Sequence, residues 1–136
     1  MGFNEKVVWD YFTNMSCNIK PQYKFSDLVG ESNEELKFDF AIFNKSGNLI
    51  YLVEVDDEEH RYNHSSNTPR QKQRIAAQER DTKKNEYCKT NNIPLYRMEV
   101  PFIRGKRWSY EDYYRYINTE LKFIVNLSRD EKEETC

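Results

Sequence analysis

Between Leu36 and Asp56 the chain writes two short strands around one turn, and this segment limits the fold more than any other. Leu36–Phe43 alternates, which predicts a strand with Leu36, Phe38, Phe40 and Ile42 on one face and Lys37, Asp39, Ala41 and Phe43 on the other. Asn44-Lys45-Ser46-Gly47-Asn48 has the composition of a hairpin turn. Leu49–Asp56 is apolar on both faces through Val53, as a strand covered on both sides must be. The segment therefore predicts an antiparallel pair whose second strand is central in a sheet.

Around this hairpin the periodicity changes. Asn4–Asn14 predicts a helix capped by Asn4, with Glu5 in the first turn and Val7, Val8, Tyr11 and Phe12 on one face. Ser16–Asn33 is polar, with an edge strand expected at Tyr23–Phe25 and a turn at Gly30. Glu58–Pro69 reads as a loop. Arg70 to about Asn91 is rich in helix formers and should stop at Asn91-Asn92, ahead of Pro94. A strand is expected at Leu95–Val100, then a basic loop, Arg104-Gly105-Lys106-Arg107-Trp108, then a helix from Tyr110 to Leu127. The order α-β-β-β-α-β-α predicts a single α/β domain over residues 1–127 with a mixed sheet, followed by a charged tail at 128–136. A chain of 136 residues with 38 % hydrophobic and 15 % aromatic side chains can bury a real core.

Whole function classes drop out on the same grounds. The longest apolar runs are a handful of residues, so neither a membrane span nor a secretory leader is expected. Cys17, Cys88 and Cys136 are odd in number and far apart, which speaks against a disulfide scaffold and for a reducing compartment, the cytoplasm first and the nucleus second. None has zinc-site spacing.

Charge is distributed unevenly. Residues 31–62 hold nine acids against three bases, and residues 63–110 hold eleven bases against four acids. Such a division suits a metal site beside a phosphate-binding surface, although a salt-bridged exterior is the plainer account of charge alone. Within the acidic block, Asp39 interrupts Phe38 and Phe40, and Glu54 closes an apolar run. A buried carboxylate needs a counter-charge or a metal. Glu54 and Asp56 are two apart and share a strand face, and Asp39 can reach it across the hairpin. Three carboxylates at the end of a central hairpin suit a hard divalent cation, Mg2+ or Mn2+. Asp56–Glu59 reads equally as a solvated turn. His60 follows four acids and is a candidate general acid/base or water positioner, against the plainer reading of a surface histidine. In the long helix, Ala77, Asp81, Lys84 and Cys88 share a face that should bring Asp81 and Lys84 toward the sheet; the alternative is an exposed i, i+3 salt bridge.

Taken together, Asn4-Glu5-Lys6, Leu36-Lys37-Phe38-Asp39-Phe40, Val53-Glu54-Val55-Asp56-Asp57-Glu58-Glu59-His60-Arg61-Tyr62, Glu79-Arg80-Asp81-Thr82-Lys83-Lys84-Asn85-Glu86-Tyr87-Cys88 and Asn92-Ile93-Pro94-Leu95-Tyr96-Arg97 resemble the PD-(D/E)XK nuclease superfamily. The branch they are most similar to is the very-short-patch-repair (Vsr-like) endonucleases and the EDxHD homing endonucleases of phages. There a helix Glu, a strand "FDF", a strand "E-x-D-G-x-Q-H" and a helix "RDxxKNxYC" precede "N-I-x-L-x-R". The likeness spans roughly residues 4–98. Asp57 stands where the pattern has Gly, Glu59 where it has Gln, and Asp56 where the superfamily usually has Lys, as fits a branch that uses His.

The resemblance implies a restriction-endonuclease-like core and a divalent-metal-dependent endonuclease acting on DNA, with RNA as the alternative substrate. It implies a catalytic set of Glu5, Asp39, His60 and Asp81, with Glu54 and Asp56 beside them. Asp39 would be the principal metal ligand, with Glu54 and Asp56 as the others, and Lys84 would contact the scissile phosphate. Arg70, Lys72, Arg74, Arg80, Lys83, Arg104, Lys106 and Arg107 would neutralise the nucleic-acid backbone, with Trp108 and Tyr110 for stacking. Specificity would come from loops 57–69 and 101–109, from a homodimer or from a protein partner. The rival expectation, supported by Asp57 and Glu59, is an inactive nuclease fold that binds nucleic acid or a protein as an inhibitor or scaffold.

Overall fold

A computed structural model describes residues 1–57, 68–100, 105 and 107–129, the side chains of 57 and 68–71 excepted. Its elements are α1 (Phe3–Asn14), β1 (Asn18–Val29), β2 (Glu35–Phe43), β3 (Leu49–Asp57), α2 (Thr68–Thr90), β4 (Leu95–Val100) and α3 (Tyr110–Arg129). The expected order of elements is the order observed. Four strands form one sheet in the order β1-β2-β3-β4. β1, β2 and β3 run antiparallel, and β4 lies parallel to β3 after the crossover through α2.

The hairpin turn closes on Asn44, whose Oδ1 accepts the backbone N–H groups of Ser46 and Asn48 at 3.0 and 2.9 Å. Gly47 takes φ 86°, a conformation that favours glycine. α2 stops as its sequence predicts. Asn92 is left-handed at φ 55°, and the Ile93 N–H donates back to the Cys88 carbonyl at 2.9 Å.

Two apolar layers cover the two faces. α1 and α3 pack on one face through Val7, Val8, Tyr11, Phe12, Tyr113, Ile117, Leu121 and Ile124, against Phe40, Ile42, Val53 and Met98. On the other face Leu28, Leu36, Phe38, Ala41, Phe43 and Leu52 gather with Cys88 of α2. No helix among the described residues is long and apolar enough to cross a membrane.

Four expectations change. β1 is a twelve-residue strand rather than a three-residue one; it is weakly patterned because it is an edge strand, which tolerates Pro21. Gly2, not Asn4, is the N-cap of α1, with Glu5 Oε2 accepting the Gly2 N–H at 3.2 Å. α3 continues past Leu127 to Arg129, so Ser128 belongs to the helix and is buried, its hydroxyl donating to the Val125 carbonyl. Finally, the alternation of β2 is broken. Leu36 and Phe38 face α2, whereas Phe40 and Ile42 face α1 and α3. The switch falls at Asp39, opposite Gln22 of β1, whose φ is 52°.

Candidate functional site at the end of the β2–β3 ladder

The backbone ladder between β2 and β3 runs through Ile42↔Tyr51, Ala41↔Leu52 and Phe40↔Val53. The next two positions are Asp39 and Glu54, and there side chains replace the backbone partners. The Val55 N–H donates to Asp39 Oδ2 at 2.7 Å, and the Asp39 N–H donates to Glu54 Oε1 at 3.3 Å. Two carboxylates thus sit between the strands where they separate. This accounts for acids inside apolar runs: each satisfies a backbone donor that the ladder leaves behind.

The electrostatic cost of that arrangement is visible in both acids. Burial, then the Glu54 carboxylate, push Asp39 from an ordinary 3.8 to about 8, with Glu5 of α1 adding to the rise and the Val55 N–H opposing it. Glu54, 6 % exposed, is also raised, by burial first. Lys84 opposes that rise most: its Nζ reaches Glu54 Oε1 at 3.2 Å and lies 5.5 Å from the Phe38 ring centre. The inward face predicted for α2 is therefore present, with Cys88 buried one turn beyond Lys84.

Arg97 joins the three elements. It lies opposite Glu54 in the β3–β4 register, and its Nε donates to Asn85 Oδ1 at 3.0 Å. Its guanidinium also donates to the Asp81 carbonyl at 3.4 Å and approaches the Asp56 and Asp81 carboxylates at 3.7 and 3.6 Å. Asp56, expected beside Asp39 and Glu54, thus meets Arg97, and Asp81 meets the same cation while remaining half exposed.

Of the expected catalytic set, Glu5, Asp39, Glu54 and Lys84 converge, and Asp81 stands one guanidinium away. His60 lies outside the described residues, as do the side chain of Arg70 and the residues Arg104 and Lys106. Lys72, Arg80 and Lys83 form one stripe along α2. Arg80 and Lys83 line a cavity of about 120 Å³ together with Glu31 and Glu34 of the β1–β2 turn. Arg74 is half-buried and Arg107 exposed. Trp108 is half-buried against Tyr113 and Tyr116, at ring separations of 6.2 and 5.6 Å, so much of its surface is used in packing. Tyr110 stacks on Tyr114 and donates to Asp10.

Sequence reasoning assigned no role to Arg97. The signal was a charged residue between Tyr96 and Met98 in a strand that pairs in parallel, where apolar runs are the norm.

Among the described residues, no group of three or more His, Cys, Asp and Glu side chains is gathered to hold a metal ion. The pair that is gathered, Asp39 and Glu54, nevertheless has the chemistry of a hard-cation site. Both donors are carboxylate oxygens, and both carboxyls are driven toward neutrality by burial, Asp39 further by the charge beside it, a penalty that a divalent cation offsets. Comparison of the chain with protein-family models, with curated proteins and with solved structures returns no match.

Proposed function

We propose that the protein is a divalent-metal-dependent endonuclease that hydrolyses phosphodiester bonds of DNA, on a restriction-endonuclease-like core. The observation that supports this reading best is the pairing of half-buried Asp39 with buried Glu54 at the separating end of a central hairpin, with Lys84 against it. Asp39 and Glu54, with Asp56 nearby, would hold Mg2+ or Mn2+, which when bound polarises a phosphate and lowers the pKa of water. The chain's own residues then have distinct tasks. Lys84, already 3.2 Å from Glu54, offers an ammonium to a phosphate oxygen at the pair. Glu5 stands against Asp39 from the α1 side. Arg97 fixes α2 relative to β3 and thereby the reach of Lys84. His60 is assigned the water. The α2 stripe Lys72, Arg80 and Lys83 would neutralise backbone phosphates, as would Arg74 of the same helix and Arg107 ahead of α3. The three cysteines fit work in the cytoplasm, including that of a phage-infected host.

The test is incubation with supercoiled plasmid, and with structured RNA, in Mg2+, Mn2+ or EDTA. Nicking or linearisation that needs the metal and is lost in Asp39→Asn is the expected outcome. A second reading rests on the ion pairs themselves: Lys84 on Glu54 and Arg97 on Asp56 and Asp81 already balance the acids without a metal, as in a nuclease fold kept for binding alone. Absence of cleavage under every condition, with nucleic-acid or protein binding retained, would favour it.

A further inference from the structure

Beyond Phe40 the β2–β3 ladder ends, but β1 and β2 stay paired, through Tyr23↔Phe38 and Lys24↔Lys37. This two-stranded ribbon has one packed face. Phe25 meets the rings of Tyr23 and Phe38 edge to face, and it meets Tyr87 of α2 at 5.1 Å. The opposite face carries Lys24 and Lys37, directly cross-strand and both exposed. Their Cβ atoms are therefore about 5 Å apart, and like charges at that position destabilise a strand pair. Among the described residues neither ammonium forms an ion pair. Edge protection needs charge, but it does not need the same sign twice; an acid at either position would protect equally and add an attraction. The pair makes sense when an anion lies across it. Lys37 is two residues from Asp39, about 7 Å along the strand.

Resting on the nuclease reading above, we propose that this open ribbon face is a second phosphate-binding strip, which takes the nucleic-acid backbone beside Asp39 on the side away from α2. It would work with the α2 stripe, so that the backbone is held on both sides of the carboxylate pair. Exposed Glu35, two residues before Lys37, marks where the strip ends.

The experiment is binding of a short fluorescein-labelled DNA duplex in EDTA, followed by anisotropy across a KCl series. Lys24→Gln with Lys37→Gln should weaken binding on the order of tenfold at low salt and reduce the salt slope by about one to two units. Lys122→Gln, on the far helix α3, should change neither. Lys24→Glu separates binding from folding: it converts the repelling pair into an attracting one, so the melting temperature should rise by on the order of 1–3 °C while binding falls further. Unchanged affinity and slope in the double variant, an equal loss in Lys122→Gln, or no duplex binding by the wild type would each overturn the proposal. Plasmid cleavage in Mg2+ separates the two readings. A protein that cleaves but ignores the lysine changes keeps its nuclease function and loses the strip. One that binds through the lysines without cleaving keeps the strip and loses the chemistry.

Discussion

Replacing Asp39 with Asn should make the metal-free protein more stable, and increasingly so as pH rises. In the native state burial, Glu54 and Glu5 hold the Asp39 carboxyl up to about 8, against 3.8 ordinarily. Between those values the native protein keeps a proton that the unfolded chain has released. The native state thus binds more protons, and stability must fall as pH increases through this window. The contribution is fully present below the unfolded value and lost as pH passes the native one. One proton is worth about 1.4 kcal/mol per pH unit at most. Glu54 is raised in the same direction, so the two acids share the strain, and the partial exposure of Asp39 reduces it further. A penalty of about 1–3 kcal/mol at pH 8 remains, or roughly 3–10 °C in melting temperature for a chain of this size. Asn is the nearest isostere of the protonated acid, and its Oδ1 can still accept the Val55 N–H. Thermal unfolding of wild type and Asp39→Asn in EDTA at pH 5, 6, 7 and 8 measures the difference directly. It should be small at pH 5 and grow monotonically in favour of the variant. A difference independent of pH, or a variant less stable at pH 8, would refute the account of Asp39 as a repelled, half-buried acid.

Lys84→Met should cost about 3–5 kcal/mol near neutral pH, because it strands Glu54 without its ammonium, and adding Glu54→Gln should recover most of that loss in chemical denaturation. Arg97→Gln should destabilise the protein by about 1–3 kcal/mol and speed amide exchange in α2, since the guanidinium links Asn85 and Asp81 to β3. Phe40→Ala, fully buried beneath α1, should cost about 3–5 kcal/mol, whereas Ile75→Ala, 54 % exposed on α2, should stay within about 0.5 kcal/mol. On the proposed nuclease reading, His60→Ala should leave metal and DNA binding intact and slow plasmid cleavage on the order of 10²-fold or more; undiminished cleavage would remove His60 from the reaction.

Much of the architecture is legible from local pattern. The hairpin at 44–48, the stop of α2 at Asn92 and the apolar faces of α1 and α3 are each specified by residues within a few positions of one another. The inward turn of Asp81 and Lys84 also follows from helical spacing, because the small Ala77 and the buried Cys88 set the same face. What pattern cannot carry is the change of face in β2. Strict alternation assigns Phe38 and Phe40 to one side, yet they belong to different layers, because the ladder to β3 stops between them and Asp39 takes the place of a backbone partner. That depends on what lies across the sheet. The same holds for Arg97, whose partners come from β3 and α2, and for Lys24 and Lys37, whose opposition is a matter of register. β1 escapes as well, since an edge strand needs little apolar patterning to pair.

The parallel placement of β4 has a consequence for the order of assembly. Ala41 meets Leu52 across eleven residues of chain, whereas Leu52 meets Leu95 across forty-three. Chain-closure entropy rises with the length enclosed, so the three-stranded meander should form early and the α2–β4 crossover should dock late. The late arrival carries both cations of the carboxylate cluster, Lys84 on α2 and Arg97 on β4. Until it docks, Asp39 and Glu54 have only the backbone N–H groups of Val55 and Asp39 and water as counterweight, and no cation offsets their closing together between the strands. Docking of the crossover thus completes the sheet and the charge balance of the cluster in a single step. Partly folded chains that hold the meander alone would carry the Asp39–Glu54 pair without either of its cations, Lys84 or Arg97.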